Sequence, residues 1–225
     1  MKKQEYDVGN SRILHTGFPE DFGFEFHRRE MERTAVLVPD STPMLDLGCG
    51  SGLISRFIPS HIAYLGLDFN RNYLSRDWMG RDVDGRVCGN ILELPIRDRS
   101  LKTVLLLHVI EHLPGSLQGR LLQEIHRVLE RDGTLVLSTP NLGTFRNAAL
   151  FLPPNNPKHF RCLTLGEARK LLEVAGFQAV SRHGFDIFIE PPNSYVGLIP
   201  VMFRRRLAHI FLPLEKHLIL TAKRN

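Results

Sequence analysis

The sequence predicts an α/β protein, built as a doubly wound, mostly parallel sheet of seven strands with helices on both faces. Short apolar runs of strand length alternate with stripes at helical spacing, with no internal repeat or low-complexity tract. The run Met44 to Leu47 passes straight into Gly48, Gly50 and Gly52, the way a buried strand turning tightly into a helix is written. A second run, Ala63 to Leu67, ends in Asp68, 20 residues after Gly48. At that spacing, βαβ geometry sets a carboxylate beside the ribose of a nucleotide lying across the first strand.

A leading amphipathic helix is expected over Phe24 to Leu37. Strands follow at Met44 to Leu47, Ala63 to Leu67, Arg86 to Cys88, Thr103 to Leu107 and Thr134 to Ser138. Before the last of these, Leu117, Leu121, Leu122, Ile125, Val128 and Leu129 recur at helical spacing, and Asp132-Gly133 is expected to end that helix. Thr164 with Glu167 three residues on is a capping box. It opens a helix whose buried face carries Leu165, Ala168, Leu171, Leu172 and Ala175 and whose stop is Gly176. Gln178 to Ser181 and His217 to Ala222 read as the closing strands. All these apolar stripes are ordinary core packing.

Glycines at alternate positions let the backbone reach positive φ and remove the Cβ atoms that would hold a ligand away. The helix beyond is expected to direct unpaired NH groups at the site. Asp46 narrows the ligand. An acid just before the glycines repels a pyrophosphate but suits a molecule with an ammonium and a sulfonium centre. The third glycine also comes one position too early for the G-x-G-x-x-G dinucleotide pattern, since Leu53 follows Gly52. Both features favour S-adenosylmethionine.

With MLDLGCGSGL at 44 to 53, GNI at 89 to 91 before LELP, LLLHVIEHL at 105 to 113 and RVLERDGTLVLSTPN at 127 to 141, the chain resembles the class I S-adenosylmethionine-dependent methyltransferases. It is most similar to the group acting on small molecules and lipid precursors. The likeness returns at His159 to Phe177 and weakens towards the C-terminal strand. The resemblance implies a Rossmann-like sheet with an antiparallel last strand. It also implies that Asp46, Gly48, Cys49, Gly50 and Gly52 hold the methionine part of the cofactor. By the same likeness Asp68 binds the ribose hydroxyls, Asn90 and Ile91 face the adenine, and His108 lines the pocket; the spent cofactor is S-adenosylhomocysteine. Asn90, Lys102 and the Arg131-Asp132-Gly133 run depart from the family pattern. Asn90 still offers a donor and an acceptor to an adenine edge.

The chain has 225 residues, 43% of them apolar, enough for a single core. One methyltransferase domain is expected over 1–225, with a helical lead over about 1–40 and a helical cap inserted at about 190–213. Cys49, Cys88 and Cys162 show no metal-type spacing, and an odd count without a leader suits reduced thiols. No apolar h-region follows the polar N-terminus, so a cytoplasmic location is expected.

A sulfonium already activates its methyl group, so in-line transfer mainly needs the acceptor held close in a site that excludes water. If the acceptor is a hydroxyl, a positioned base assists, and His108, His112 and His159 are the candidates at the sheet's C-terminal end. HVIEH at 108 to 112 also matches the H-x-x-E-H signature of a zinc peptidase, for which Glu190 would be a further ligand. That motif needs a helix carrying both histidines. The apolar strand entering it and Pro114-Gly115 just after it speak against one, so no metal site is expected. A cofactor-binding protein of the same fold without transfer activity is the other alternative.

The net charge of +5 includes Arg204, Arg205 and Arg206 inside an apolar stretch from Tyr195 to Leu212. This segment reads as a cap over the acceptor pocket. Its sharper reading is a surface that meets an anionic membrane or a lipid-linked acceptor, through Val201, Met202, Phe203, Ile210 and Phe211 beside the arginines. No aromatic platform accompanies the arginines, so a nucleic-acid partner is not expected.

Overall fold

In a computed structural model, which describes residues 20–75, 78–142, 159–185 and 217–225, the strands form a single seven-stranded sheet. In chain order the elements are α1 (Glu20–Val36), β1 (Met44–Leu47), β2 (Tyr64–Asp68), α2 (Arg71–Leu74), β3 (Gly85–Cys88), β4 (Leu101–Leu107), α3 (Gly115–Val128), β5 (Leu129–Pro140), α4 (Leu165–Val174), β6 (Phe177–Phe185) and β7 (His217–Arg224). The strands lie in the order β3-β2-β1-β4-β5-β7-β6. Strands β1 to β5 pair in parallel, and β7 runs antiparallel to both β5 and β6. The order reverses between β1 and β4, and ligands of such sheets bind beyond the strand C-termini at that point.

The period of two along each strand separates two cores. Leu45, Leu47, Val104, Leu106, Leu135, Leu137, Leu218 and Leu220 pack on one face with Leu121, Leu122 and Ile125 of α3 and Ala168 and Leu172 of α4. The residues between them, Met44, Leu105, Val136 and Ile219, join Tyr64, Ile54, Ile58 and Ile62 on the other face, covered by Met31 and Ala35 of α1. Helices on both faces make these strands apolar throughout, which is why the sequence reads as unbroken runs.

Most expected elements appear with shifted ends, and two differ in kind. The segment after the glycine turn is only a 3-10 helix, Leu53–Phe57, closed by Ile58 and Pro59. Asp132-Gly133 does not end α3: the helix stops at Val128, and the pair lies inside β5 with Asp132 at φ +61. The strand therefore begins at Leu129, where the last residue of the helical stripe becomes the first residue paired with β4. Pro114-Gly115 likewise opens α3, Pro114 being its N-cap. The Thr164 capping box forms in full, and Gly176 follows α4 at φ +95. At the outer edge, the register of β6 against β7 shifts between Gln178 and Ser181, with Ala179 at φ +50. The expected cap at 190–213, including Glu190 and the three arginines, lies outside the described residues. Among those described, no helix is long and apolar enough to cross a membrane.

Candidate active site

The turn after β1 is built from backbone. Gly48, Gly50 and Gly52 stand at φ +76, +52 and +72, where side chains are strained. Two of them also lack room for a Cβ. At Gly48 it would come 2.5 Å from Val109 Cγ2, and at Gly52 it would enter the ring of Trp78. At Gly50 it would meet nothing within 4 Å among the described residues, so among these the loop's crest faces open space. The NH groups of Gly48 and Cys49 both bond the carbonyl of Leu67, at 2.7 and 3.1 Å, tying the turn to the end of β2.

Asp68 closes this cradle. One carboxylate oxygen accepts from the Gly50 NH at 2.9 Å and the other from the Asn70 NH at 2.7 Å. The helix expected to present open NH groups is thus replaced by a single short 3-10 segment, and the Gly50 NH is engaged by the protein's own acid. Beyond β3, the Asn90 side chain accepts from the Leu92 NH at 3.0 Å in a tight turn, and Gly89 NH bonds the Asp68 carbonyl at 3.1 Å. Asn90 and Ile91 therefore sit at the same sheet end as Asp68.

Asp46 is buried and hydrogen-bonded by the Tyr64 hydroxyl. Burial pushes its carboxyl up to about 7, the Tyr64 bond opposing and the Asp68 charge assisting. Cys49 is held as a neutral thiol: burial first, then Asp46 and Asp68, drive its pKa upward. It fits because Gly66 leaves space, a Cβ there falling 3.0 Å from the sulfur.

Next to the loop lies a chain of imidazoles and carboxylates. His108, at φ +53 just past β4, sets Nε2 2.7 Å from Glu30 Oε1 and Nδ1 3.2 Å from Glu111 Oε1. Glu30 comes from α1 and also accepts from Ser138 Oγ at 2.7 Å, while its second oxygen lies 3.1 Å from His217 Nδ1. Glu111 also accepts from Thr139 Oγ1 at 3.1 Å. Burial alone would lower the pKa of His108, but the two carboxylates outweigh it and hold the imidazole well above its usual range. Burial alone would raise Glu30 and Glu111, yet His108 holds both below theirs. Both ring nitrogens of His108 then donate, a state that disfavours it as a proton acceptor.

His112 and His159 lie together, ring centroids 5.1 Å apart and planes at 74°. The NH groups of Phe160 and Arg161 bond the Glu111 carbonyl at 2.9 and 3.2 Å, which brings His159 back to the motif. The Ile110–His112 segment is one 3-10 turn, so the helix a zinc peptidase needs is absent there. His159 is shifted below its ordinary range, by burial first.

Residues 45–137 match the family model described as a methyltransferase domain. A Mycolicibacterium smegmatis protein described as a probable S-adenosylmethionine-dependent methyltransferase is 35% identical over 162 residues, which cover 71% of this chain and 60% of that protein.

Over these residues the chain is similar to the S-adenosylmethionine-dependent methyltransferases. It spans about 60% of the length of that mycobacterial relative. Solved methyltransferases share the fold. One from Archaeoglobus fulgidus superposes with a TM-score of 0.65 at 19% identity, covering 89% of this chain and 94% of the other. Magnesium protoporphyrin IX methyltransferase from Synechocystis, solved with bound S-adenosylhomocysteine, gives 0.61 at 17% identity, covering 95% and 92%. The open space above Gly50 and the flanking acids Asp46 and Asp68 fit the methyltransferase cofactor, which needs bare main chain beneath it and negative charge near its cationic tail.

The structure gathers Asp46, Gly48, Cys49, Gly50, Gly52 and Asp68 at one corner, sets Asn90 and Ile91 at the same sheet end, and draws His108, His112 and His159 to the neighbouring corner. Sequence reasoning missed Glu30, Tyr64, Trp78, Ser138, Thr139 and His217. For Glu30 a signal existed: with Thr34 it forms a polar i, i+4 pair on the buried side of α1.

Proposed function

We propose that this chain transfers the methyl group of S-adenosylmethionine to a small-molecule or lipid-linked acceptor held at the C-terminal mouth of the sheet. The observation that carries the reading is the left-handed glycine turn, open above Gly50 and closed by Asp68, with the imidazole–carboxylate chain one residue step away through Val109. The cofactor supplies a methyl group already activated by its sulfonium sulfur. The rest falls to the chain's own residues: Asp46 and the glycine turn hold the methionine tail, Asp68 takes the ribose hydroxyls, and Asn90 with Ile91 borders the adenine. On the acceptor side, His112 and His159 are placed to receive a proton from an acceptor hydroxyl, while His108 orients Glu111. Phe160, next to His159 and 65% exposed, offers an apolar surface for the body of the acceptor.

Calorimetric titration of the folded chain tests the cofactor half. Heat with both S-adenosylmethionine and S-adenosylhomocysteine is expected, and silence with both would end the reading. Acceptor-dependent formation of S-adenosylhomocysteine tests transfer; binding without it, across pools of metabolites and lipid precursors, would leave a cofactor-binding protein instead. For a lipid-linked acceptor, flotation with anionic liposomes should be salt-sensitive and should weaken when Arg204, Arg205 and Arg206 are replaced.

A further inference from the structure

Glu111, His112 and His159 converge without contributing to the glycine cradle. One ligand atom from each lies within 4.8 Å of the other two. We propose that these three residues form a binding site for a divalent transition-metal cation, open to the acceptor and beside the methyl donor.

Residue type is the first support. Two imidazoles and one carboxylate are the donor set of three-ligand transition-metal sites that leave further positions for an exogenous oxygen. The second support is that the site is built. Glu111 is fully buried, and its two oxygens are anchored by His108 Nδ1 at 3.2 Å and Thr139 Oγ1 at 3.1 Å. Each oxygen keeps lone pairs for a cation, and such anchors fix a ligating carboxylate in place. His159 hangs from the same residue, because the next two backbone NH groups bond the Glu111 carbonyl.

Glu30, His108 and His217 form a second cluster, with one ligand atom from each again within 4.8 Å of the others. Glu30 hydrogen-bonds His108 and Ser138, each at 2.7 Å, and its second oxygen lies at ion-pair distance, 3.1 Å, from His217 Nδ1. That cluster acts as the support that aims His108 at Glu111. The H-x-x-E-H motif is thereby divided: His108 orients, whereas Glu111 and His112 bind, with His159 from another loop in place of a helical partner.

Val109 packs on Gly48 of the cofactor turn, two residues before Glu111, so the cation would lie on the acceptor side of the donor. Its role there, though not its binding, rests on the methyltransferase reading, and it implies an oxygen acceptor such as a phenol, enol or alcohol. With the cation bound, His112 and His159 serve as its ligands in place of accepting the proton themselves: the coordinated hydroxyl gives its proton to water, the oxygen lone pair forms the O–CH3 bond, and the S–CH3 bond breaks to leave the neutral thioether.

The test uses the untagged full chain, stripped with a chelator and titrated with Co2+, Zn2+, Mn2+ and Mg2+ by equilibrium dialysis and, for Co2+, visible absorption. One transition-metal ion per chain is expected. His112→Ala and His159→Ala should each weaken binding on the order of 100-fold, and Thr139→Val about tenfold, with S-adenosylhomocysteine affinity essentially unchanged. Glu111→Gln removes a buried charge and risks unfolding, so the half-buried His159 carries the decision. A folded chain that binds S-adenosylhomocysteine but no transition metal would overturn the site, as would a His159→Ala variant that binds it as tightly as the parent. Failure to bind S-adenosylhomocysteine is a separate outcome that strikes only the methyltransferase reading and the ion's role. Turnover of an oxygen acceptor that survives complete chelation would overturn that role.

Discussion

The two corners of the sheet's mouth are held by different means. The cofactor corner is main chain and near neighbours in sequence: three glycines, the Leu67 carbonyl and Asp68, all within 21 positions. The acceptor corner is side chains from α1, the end of β4, β5 and β7, joined by bonds between residues 78 and 108 positions apart. The first can be assembled by one βαβ unit, whereas the second exists only when the whole sheet is closed. On the proposed reading, damage to cofactor binding and damage to acceptor chemistry are separable.

The largest expected effect breaks the acceptor corner. Glu30→Ala strands His108 and His217 beside the buried Glu111 without their shared carboxylate, and loss of one partner of a buried charged network costs about 3–5 kcal/mol. Denaturant unfolding should register that loss while S-adenosylhomocysteine affinity in the folded fraction stays as it was. A matching loss of affinity would show that the corners are not separable.

Asp68→Asn addresses the other corner. It removes a charged acceptor from the Gly50 and Asn70 NH groups and from the ribose. An expected affinity loss of about 10- to 100-fold follows from a charged hydrogen bond's worth of about 1.5–3 kcal/mol. Calorimetry with S-adenosylhomocysteine reads it directly, and an unchanged constant would remove Asp68 from the cofactor site.

A subtler probe is pH. Asp46 has its carboxyl pushed up to about 7 in the free protein, chiefly by burial. A cationic ligand favours the anion, so binding should release a proton and affinity should rise about tenfold between roughly pH 6 and 8. In folding the sign is opposite. The folded value lies above the ordinary 3.8, so the native state binds the extra proton between those limits. That contribution is present at low pH and is lost as pH rises through about 7. Asp46→Asn should flatten the affinity profile; a profile that keeps its slope would assign the titration elsewhere.

The smallest effect is a control outside both corners. Thr164→Ala removes the capping box of α4 and should cost about 1 kcal/mol of stability without altering ligand affinity.

The same contrast explains what the sequence disclosed. Burial on both sheet faces writes β1, β2 and β4 as apolar runs, and the left-handed turn demands glycine, so strand and loop are visible together at 44 to 52. The acceptor corner hides for lack of contiguity. Glu30 sits in the charged stretch from Arg28 to Arg33, where an acid looks solvated, and only the return of β7 beside β5 brings His217 to it. The Leu129 to Gly133 junction looks helical in the sequence because Leu129 continues the α3 stripe and polar residues follow it. Pairing with β4 draws those residues into a strand that local preference does not announce.

The irregular outer strand carries a further consequence. At one margin of the sheet, the slipped register around Ala179 interrupts the ladder that β6 could offer to a newcomer, and at the other margin β3 is four residues long with Arg86 exposed. Blunted margins of this kind discourage end-to-end stacking of sheets between molecules. Crowded solutions of this protein should therefore resist fibril growth seeded from either rim, and a variant that straightens residues 178–181 is where amyloid-like self-association should first emerge.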